Sequence, residues 1–379
     1  MSTAILTTTI HVPVLLRDYA ENARHYGHEE VEFIVVGDKK TPAATSELCT
    51  SLARELGFKW TCLDVEKQLD YLQRFPELNR ILPWNSHQRR NVGLLYALEE
   101  GHDHIITIDD DNFLIPGSDF IGEHVRGLGV NASQNEITTA SGWFNCIGMM
   151  QTNFGVVYPR GFPLQQRWKP DQTTYHERIC RPVVNAGLWT GDPDIDALTR
   201  IYFPVETRLP LSHDYLTLAP GVWCPINTQN TALHRSAAPA AFMVVMGYEF
   251  SGLKICRYCD IWMSWLLRTV IDHMGGAVRF GKPVVQQNRN EHNLCKDLRD
   301  ELPGMELNET LIAACRSARL TGDTYLSSYA QLAQHLRREL SQHAQGAFFN
   351  YLADLMTVWA GACAQVVHET PKSLQHELR

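Results

Sequence analysis

The sequence carries no basic surplus. Lysine and arginine total 34 against 42 aspartates and glutamates, a net charge of -8. Nucleic-acid binders usually carry the opposite excess, so no nucleic-acid partner is expected. No apolar run reaches membrane-spanning length. Residues 1–10 have neither the basic flank nor the long apolar stretch of a leader. A cytoplasmic protein without a membrane partner is therefore expected. The ten cysteines are scattered from Cys49 to Cys363 and contain one lone CxxC, Cys256 with Cys259. A zinc site would want a second pair, so these read as free thiols. No Gly-x-Gly-x-x-Gly turn follows the first apolar segment, where Thr7-Thr8-Thr9 stands instead. Neither flavin nor NAD is therefore expected. Repeats and low-complexity tracts are also missing.

What is present is ordinary globular material: 44% hydrophobic and 20% charged residues in a chain of 379, enough for a large core. Residues 4–10, 31–36, 59–63 and 104–108 read as apolar, β-branched strands. Residues 12–26, 46–56 and 88–100 carry helical spacing between them. This alternation predicts βαβ units and a mostly parallel central sheet. From Ser141 to Arg235 the pattern is irregular. A helix is predicted over 256–274, a short strand over 281–285 and a polar loop over Gln286–Asn293. Helices follow over 309–319, 325–341 and 347–367. The expected organisation is one α/β domain over 1–303 and a helical segment over 304–379. The C-terminal helices are expected to pack on the domain or on a second copy of the chain.

In open α/β sheets, ligands sit beyond the carboxyl ends of the strands. Thr7-Thr8-Thr9, Gly37-Asp38 and Asp109-Asp110-Asp111 all fall at such ends. Three carboxylates after a buried strand are costly unless a cation neutralises them. Magnesium and manganese suit such oxygen ligands, typically one or two carboxylates plus substrate phosphates. Alternation points Asp109 and Asp111 one way and Asp110 the other. An isolated acidic triplet would read as a solvated turn; the preceding apolar strand favours metal binding. A diphosphate would also need positive side chains. Arg89 and Arg90 precede a helix, Arg160 and Arg167 lie in the irregular middle, and Arg257 and Arg289 come later. Each alone reads as a surface charge, and only convergence would make them ligands. Asp38 and Thr8 are candidates for base and ribose, or equally strand-end caps. His87 reads as a loop residue with a phosphate contact open to it. Trp189 and Trp262 read as core.

Several segments resemble the reversibly glycosylated polypeptides, the UDP-arabinopyranose mutase family (glycosyltransferase family 75). Ile108-Asp109-Asp110-Asp111 is similar to that family's Ile-Asp-Asp-Asp-Cys. Phe144-Asn145 follows, and then Arg160-Gly161-Phe162-Pro163-Leu164-Gln165-Gln166-Arg167, similar to Arg-Gly-Tyr-Pro-Phe-Ser-Leu-Arg. Gly187-Leu188-Trp189 and Pro193-Asp194-Ile195-Asp196-Ala197 resemble the family's Gly-Leu-Trp and Pro-Asp-Tyr-Asp-Ala. Asn230 sits where the family has Met-Asn-Leu-Ala-Phe, and Arg257-Tyr258-Cys259-Asp260-Ile261-Trp262 is similar to Arg-Tyr-Asp-Asp-Met-Trp. The resemblance implies a GT-A-like fold, a divalent metal (manganese or magnesium) and a nucleotide-diphosphate sugar interconverted between pyranose and furanose forms. It places Asp109 and Asp111 at the metal, and Arg160, Arg167 and Asp260 in catalysis. Thr8, Asp38, Arg89, Arg90, Asp110, Asn145, Asn230 and Arg289 fall to the nucleotide sugar.

The sequence also departs from the family pattern. The paired aspartates become Cys259-Asp260, and a Ser-His becomes Asn185-Ala186. The family's Trp-His-Ser-Lys aligns with Gln286-Gln287-Asn288-Arg289, so the histidine of the metal shell is absent. His292 is taken as third ligand, with Gln287 and Asn288 as alternatives. Base and sugar can therefore differ from UDP-arabinose. A relative from an antibiotic pathway acts on GDP-L-galactose, and this chain resembles that type as well. Arginine stays protonated, so electrostatic stabilisation by Arg160 and Arg167 is favoured over a covalent arginine intermediate. The alternatives are a glycosyltransferase with a separate acceptor and an inactive nucleotide-sugar-binding scaffold.

Overall fold

The computed structural model describes residues 1–289 and 292–369; residues 290 and 291 of the predicted polar loop lie outside the described residues. The first hundred residues alternate as the apolar spacing predicts. In order come β1 (Thr3–Thr8), α1 (Leu16–His25), β2 (Val31–Val36), α2 (Ala44–Leu56), β3 (Lys59–Leu63), α3 (Val65–Leu72), α4 (Pro76–Ile81), α5 (Arg90–Glu99) and β4 (His104–Ile108). These strands pair in parallel in the order β3-β2-β1-β4. β2 and β4 are buried along their whole length, the pattern of strands covered on both faces. Glu32 is buried within β2, ion-paired there with Lys59 and hydrogen-bonded to His102.

The stretch from Asn112 to Gln287, which includes the irregular middle, carries many short strands. It comprises β5 (Asn112–Leu114), α6 (Phe120–Val125), β6 (Ala132–Thr139), β7 (Gln151–Thr152), β8 (Thr173–Ala186), β9 (Trp189–Gly191), α7 (Ala197–Tyr202), β10 (Thr207–Arg208), β11 (Tyr215–Leu218), β12 (Asn230–His234), β13 (Glu249–Phe250), β14 (Leu253–Lys254), α8 (Cys259–His273), β15 (Gly276–Gly281) and β16 (Val285–Gln287). The main sheet has nine strands in the order β15-β11-β6-β8-β12-β4-β1-β2-β3. Parallel pairings outnumber antiparallel ones in it, and β12 runs antiparallel to β4. A five-stranded sheet, β5-β16-β9-β10-β7, is built directly after the carboxyl end of β4.

Two differences from the sequence pattern have physical causes. Strand β8 is 14 residues long, yet its first seven residues are exposed and so show no apolar alternation. The strand predicted over 281–285 is instead β15 and β16, separated at Pro283, which has no N–H for a ladder.

Helices α9 (Leu294–Ser317), α10 (Tyr325–Leu340) and α11 (Gly346–Glu369) close the chain. α9 begins well before the predicted helix, because Asn293 caps it and it runs through Pro303. The predicted boundary between 303 and 304 therefore falls inside a helix. A capping box of Thr324 and Ser327 opens α10. α11 lies against α10, α5 and α4, with fully buried Trp359 donating to the Pro239 carbonyl at 2.8 Å. The C-terminal helices thus pack on their own domain. Among the described residues no helix is long and apolar enough to cross a membrane. All ten cysteines are unbridged.

Gly93 positions the site. A Cβ there would lie 2.3 Å from Leu6 Cδ1 and 2.7 Å from Val36 Cγ2, so only glycine lets α5 lie this close to β1 and β2. That approach seats the first turn of α5 at the carboxyl edge of the parallel strands.

Candidate active site

Two adjoining cavities open at that edge. The first, about 260 Å³, is lined by Thr8, Arg90, Asp109, Asp110, Asp111, Arg160, Asp260, Arg289 and His292 among the sequence candidates. The second, about 430 Å³, is lined by Asp38, Arg89 and the β1 end. The two share Thr8, His87, Asp110 and His292. Parallel topology therefore gathers residues that are far apart in the chain.

Arg90 opens α5 and reaches across the strand ends. It donates to Asp109 Oδ1 at 2.5 Å, to Thr8 Oγ1 at 3.2 Å and to Thr228 Oγ1 at 2.6 Å. Asp110 accepts from Thr9 Oγ1 at 2.5 Å; because Asp109, Asp110 and Asp111 lie past the end of β4, strand alternation does not part them and all three line the first cavity. Asp111 differs from both. Its Oδ1 is buried and accepts no hydrogen bond among the described residues. Burial first, and then the Asp109 charge, push its carboxyl up to about 6. Strand β16, paired in register with β5 and β9, brings Gln287 and Arg289 to this side. Arg289 is nearly buried, with Nε 3.4 Å from Asp192 and Nη2 4.0 Å from Asp194. Neither nitrogen makes a hydrogen bond among the described residues. One cavity thus holds an unspent carboxylate oxygen and unspent guanidinium donors.

Arg160 has no such freedom. Nε and Nη2 donate to Asp194 at 2.8 and 3.0 Å. Nη1 and Nη2 donate to Asp260 at 3.1 and 2.9 Å, and Nη1 also meets the Arg257 carbonyl. All five donors of the guanidinium are occupied. Burial would discharge it, but Asp194 and Asp260 outweigh burial and hold its pKa well above the usual value. The carbonyl it meets belongs to a strained residue: Arg257 has φ 59, a left-handed conformation that non-glycine residues rarely adopt. Arg160 therefore clamps two carboxylates and is not a free phosphate ligand. Asp194, which the sequence pattern left without a role, is the other half of that clamp.

Three predicted site residues lie outside both cavities. Arg167 is held by Asp196 at 2.6 Å, with its guanidinium over the Tyr158 ring. Asn145 caps the 3-10 turn Cys146–Met149, donates to the Val157 carbonyl and lines a separate cavity. Asn230 is buried, donates to the Leu188 and Pro283 carbonyls, and meets His124 through Oδ1. Their amides and charge are spent on the scaffold. His292 lines both cavities but gives Nδ1 to Asp297 at 2.9 Å. Among the described residues no group of three His, Cys, Asp or Glu is placed to hold an ion, so His292 does not complete a metal cage with Asp109 and Asp111. Arg89 walls the second cavity, donates to Gln68 Oε1 and lies 3.8 Å from the Trp84 ring. Burial lowers its pKa to about 10. Asp38 accepts from the backbone N–H groups of Lys39 and Ser86.

A family model described as "Reversibly glycosylated polypeptide" matches residues 64–368. The chain belongs to the reversibly glycosylated polypeptide family. UDP-arabinopyranose mutase 1 of Arabidopsis thaliana is 28% identical over 262 residues, 68% of each chain. Probable UDP-arabinopyranose mutase 2 of Solanum tuberosum is also 28% identical, covering 68% of this chain and 66% of its own. Among solved structures, a mannosyltransferase of Pyrobaculum calidifontis in complex with GDP-Man and Mn2+ covers 95% of this chain and 86% of its own at 9% identity, with a TM-score of 0.33. That superposition is too loose to establish fold or function.

Two of the departures from the reversibly glycosylated polypeptide pattern fall inside the site. Cys259, in place of an aspartate, lines the first cavity and stands 2.8 Å from His87 Nε2. Gln287, in the histidine-bearing segment, lines it too and hydrogen-bonds the Asp111 carboxylate. Asn185 is buried away from it, donating to His124 Nδ1 and accepting from Arg279. Sequence reasoning missed Asp194 and the partner of His87, because nothing local signals a contact made across the fold.

Proposed function

We propose that this protein interconverts the pyranose and furanose forms of a nucleotide-diphosphate sugar, with a divalent cation and without flavin. The carrying observation is that one cavity beyond β4 holds both an Asp111 oxygen that accepts no hydrogen bond and Arg289 nitrogens that donate none among the described residues. A buried carboxylate oxygen without a donor favours a cation, and buried guanidinium donors without an acceptor favour an anion. A metal–diphosphate supplies both at once, with phosphate oxygens making up the coordination that the protein does not. Asp109 and Asp111 are the residues that would hold the cation, with manganese or magnesium suited to them. When bound, the cation supplies Lewis-acid stabilisation of a departing diphosphate.

The chain's own residues divide the remaining work. Arg289 holds diphosphate charge. Asp260, oriented by the two hydrogen bonds it accepts from Arg160, accepts a sugar hydroxyl. The adjoining cavity with Asp38 and Arg89 takes the base and ribose, of a UDP- or GDP-sugar. In the reaction the bond from anomeric carbon to phosphate breaks and the ring opens. The 4-hydroxyl closes on that carbon, and the diphosphate then recaptures the sugar.

The test is a product assay. Metal-stripped protein is incubated with UDP- and GDP-sugars, with and without manganese, and pyranose and furanose products are separated. A manganese-dependent furanose peak, lost in Asp111→Ala, is expected. Arg289→Ala is expected to weaken UDP binding about tenfold to a hundredfold, the value of one charged hydrogen bond. Unchanged sugars from protein that still binds UDP by calorimetry would overturn the mutase reading.

A further inference from the structure

The first cavity holds a nucleophile–base pair that the mechanism above leaves unused. Cys259 Sγ lies 2.8 Å from His87 Nε2, across 172 positions of sequence. Both residues line the cavity that contains Asp109, Asp111, Asp260 and Arg289. Cys259 is the first residue of α8, a helix of 15 residues, so its sulfur sits where the helix favours negative charge. Burial lowers the His87 pKa and, with Asp260, raises that of Cys259. The resting pair is neutral thiol and neutral imidazole, the state in which a base can take a proton as the sulfur attacks. Arg160 cannot serve as nucleophile, because every donor of its guanidinium is engaged.

We propose that Cys259, with His87 as its base, is a covalent nucleophile that captures the sugar's anomeric carbon. The identity of that electrophile rests on the mutase reading. In the first step His87 takes the thiol proton, sulfur bonds to the anomeric carbon, and the diphosphate leaves with the bonding electron pair. A sulfur lone pair then expels the ring oxygen, which takes the proton back from His87 and becomes a hydroxyl. The open-chain carbon is now doubly bonded to sulfur. The 4-hydroxyl adds there, and its proton returns to His87. Diphosphate oxygen finally displaces sulfur, and the thiolate recovers its proton. Atoms, protons and electrons balance without an oxidant. Sulfur holds the sugar while its ring is open, a role for which a carboxylate at this position would be poorly suited.

The experiment has two arms on the full-length protein. In the first, iodoacetamide labelling is mapped by peptide mass spectrometry with and without UDP. Cys259 is expected to alkylate on the order of a hundredfold faster than buried Cys315, with that advantage lost in His87→Gln, as for a base-assisted thiol, and blocked by UDP. In the second, turnover with UDP-arabinopyranose and manganese is quenched in acid. A single sugar adduct is expected on the Cys259 peptide, with turnover falling roughly a thousandfold in Cys259→Ala, as for loss of a nucleophile, while the variant's unfolding temperature and UDP binding persist. Alkylation no faster than at Cys315, or near-normal turnover by Cys259→Ala, overturns the proposal. Wild-type protein that makes no furanose while Cys259 still shows base-assisted, UDP-blocked labelling sinks the mutase reading instead and leaves the nucleophile in place.

Discussion

Arg160 is the residue at which a motif and its structure part company. An arginine in a family-like motif invites a role at phosphate, yet its five donors are spent on Asp194, Asp260 and a carbonyl. Removing one partner of a buried ion network leaves charges uncompensated, at about 3–5 kcal/mol. Arg160→Ala is therefore expected to lose about that much stability by chemical denaturation; a loss under about 1 kcal/mol would mean the clamp is not structural. His124 offers a pH test. It is fully buried between Asn185 and Asn230, and burial pushes its pKa down to about 3. The unfolded chain binds a proton below about 6.5, while the folded chain does not until about 3. Stability should therefore fall as pH drops through that window, by about 1.4 kcal/mol per unit once well below the unfolded value. His124→Gln, compared by denaturation midpoints at several pH values, should lose less per unit; an equal slope would assign the effect elsewhere.

At the scale of elements, the link from motif to site runs through a turn. Gly161 follows Arg160 with φ 84, and a Cβ there would lie 2.2 Å from Ile261 Cγ2. The turn thus packs directly on α8, whose first residues carry Cys259 and Asp260. Gly161→Ala meets both the clash and the left-handed backbone, for a cost of about 1–3 kcal/mol. It should also lower activity by shifting Arg160 away from Asp260. Adding Ile261→Ala should recover part of the stability. No recovery would show that backbone conformation, not the contact with α8, dominates. β16 makes the same point for the other side of the site. Three residues long, it pairs with both β5 and β9 and so delivers Gln287 and Arg289 to the aspartates.

For the whole molecule, the C-terminal helices are part of the core and not an appendage. α11 lies against α5, the helix that carries Arg90, and its fully buried Trp359 and Phe349 stack on Phe242 and on Trp262 of α8. Ending the chain after Ser317 would expose a large apolar face. Such a truncation should yield aggregated protein or protein without a cooperative unfolding transition, read by calorimetry. A soluble, cooperative fragment would restore the view of 1–303 as an independent domain.

The sequence by itself determined the parallel half of the sheet, since β2, β3 and β4 are short, strand-forming runs separated by helical spacing, a pattern that is local in the chain. It likewise determined that Asp109, Asp110 and Asp111 stand at the carboxyl end of a buried strand, although in the turn beyond β4 all three line one cavity, where alternation would part them. Strand β8 and the start of α9 were not legible, one because its exposed half has no apolar period, the other because Pro303 reads as a break. Only the tertiary structure decided which arginines are free. Whether a guanidinium is spent or unspent depends on carboxylates 34 and 100 residues away for Arg160, while Arg289 stands beside Asp192 and Asp194 with Nε and Nη2 making no hydrogen bond among the described residues. The contact of His87 with Cys259 was decided in the same way. Side-chain chemistry is written locally, but its partners are set by the folding of distant segments onto one edge.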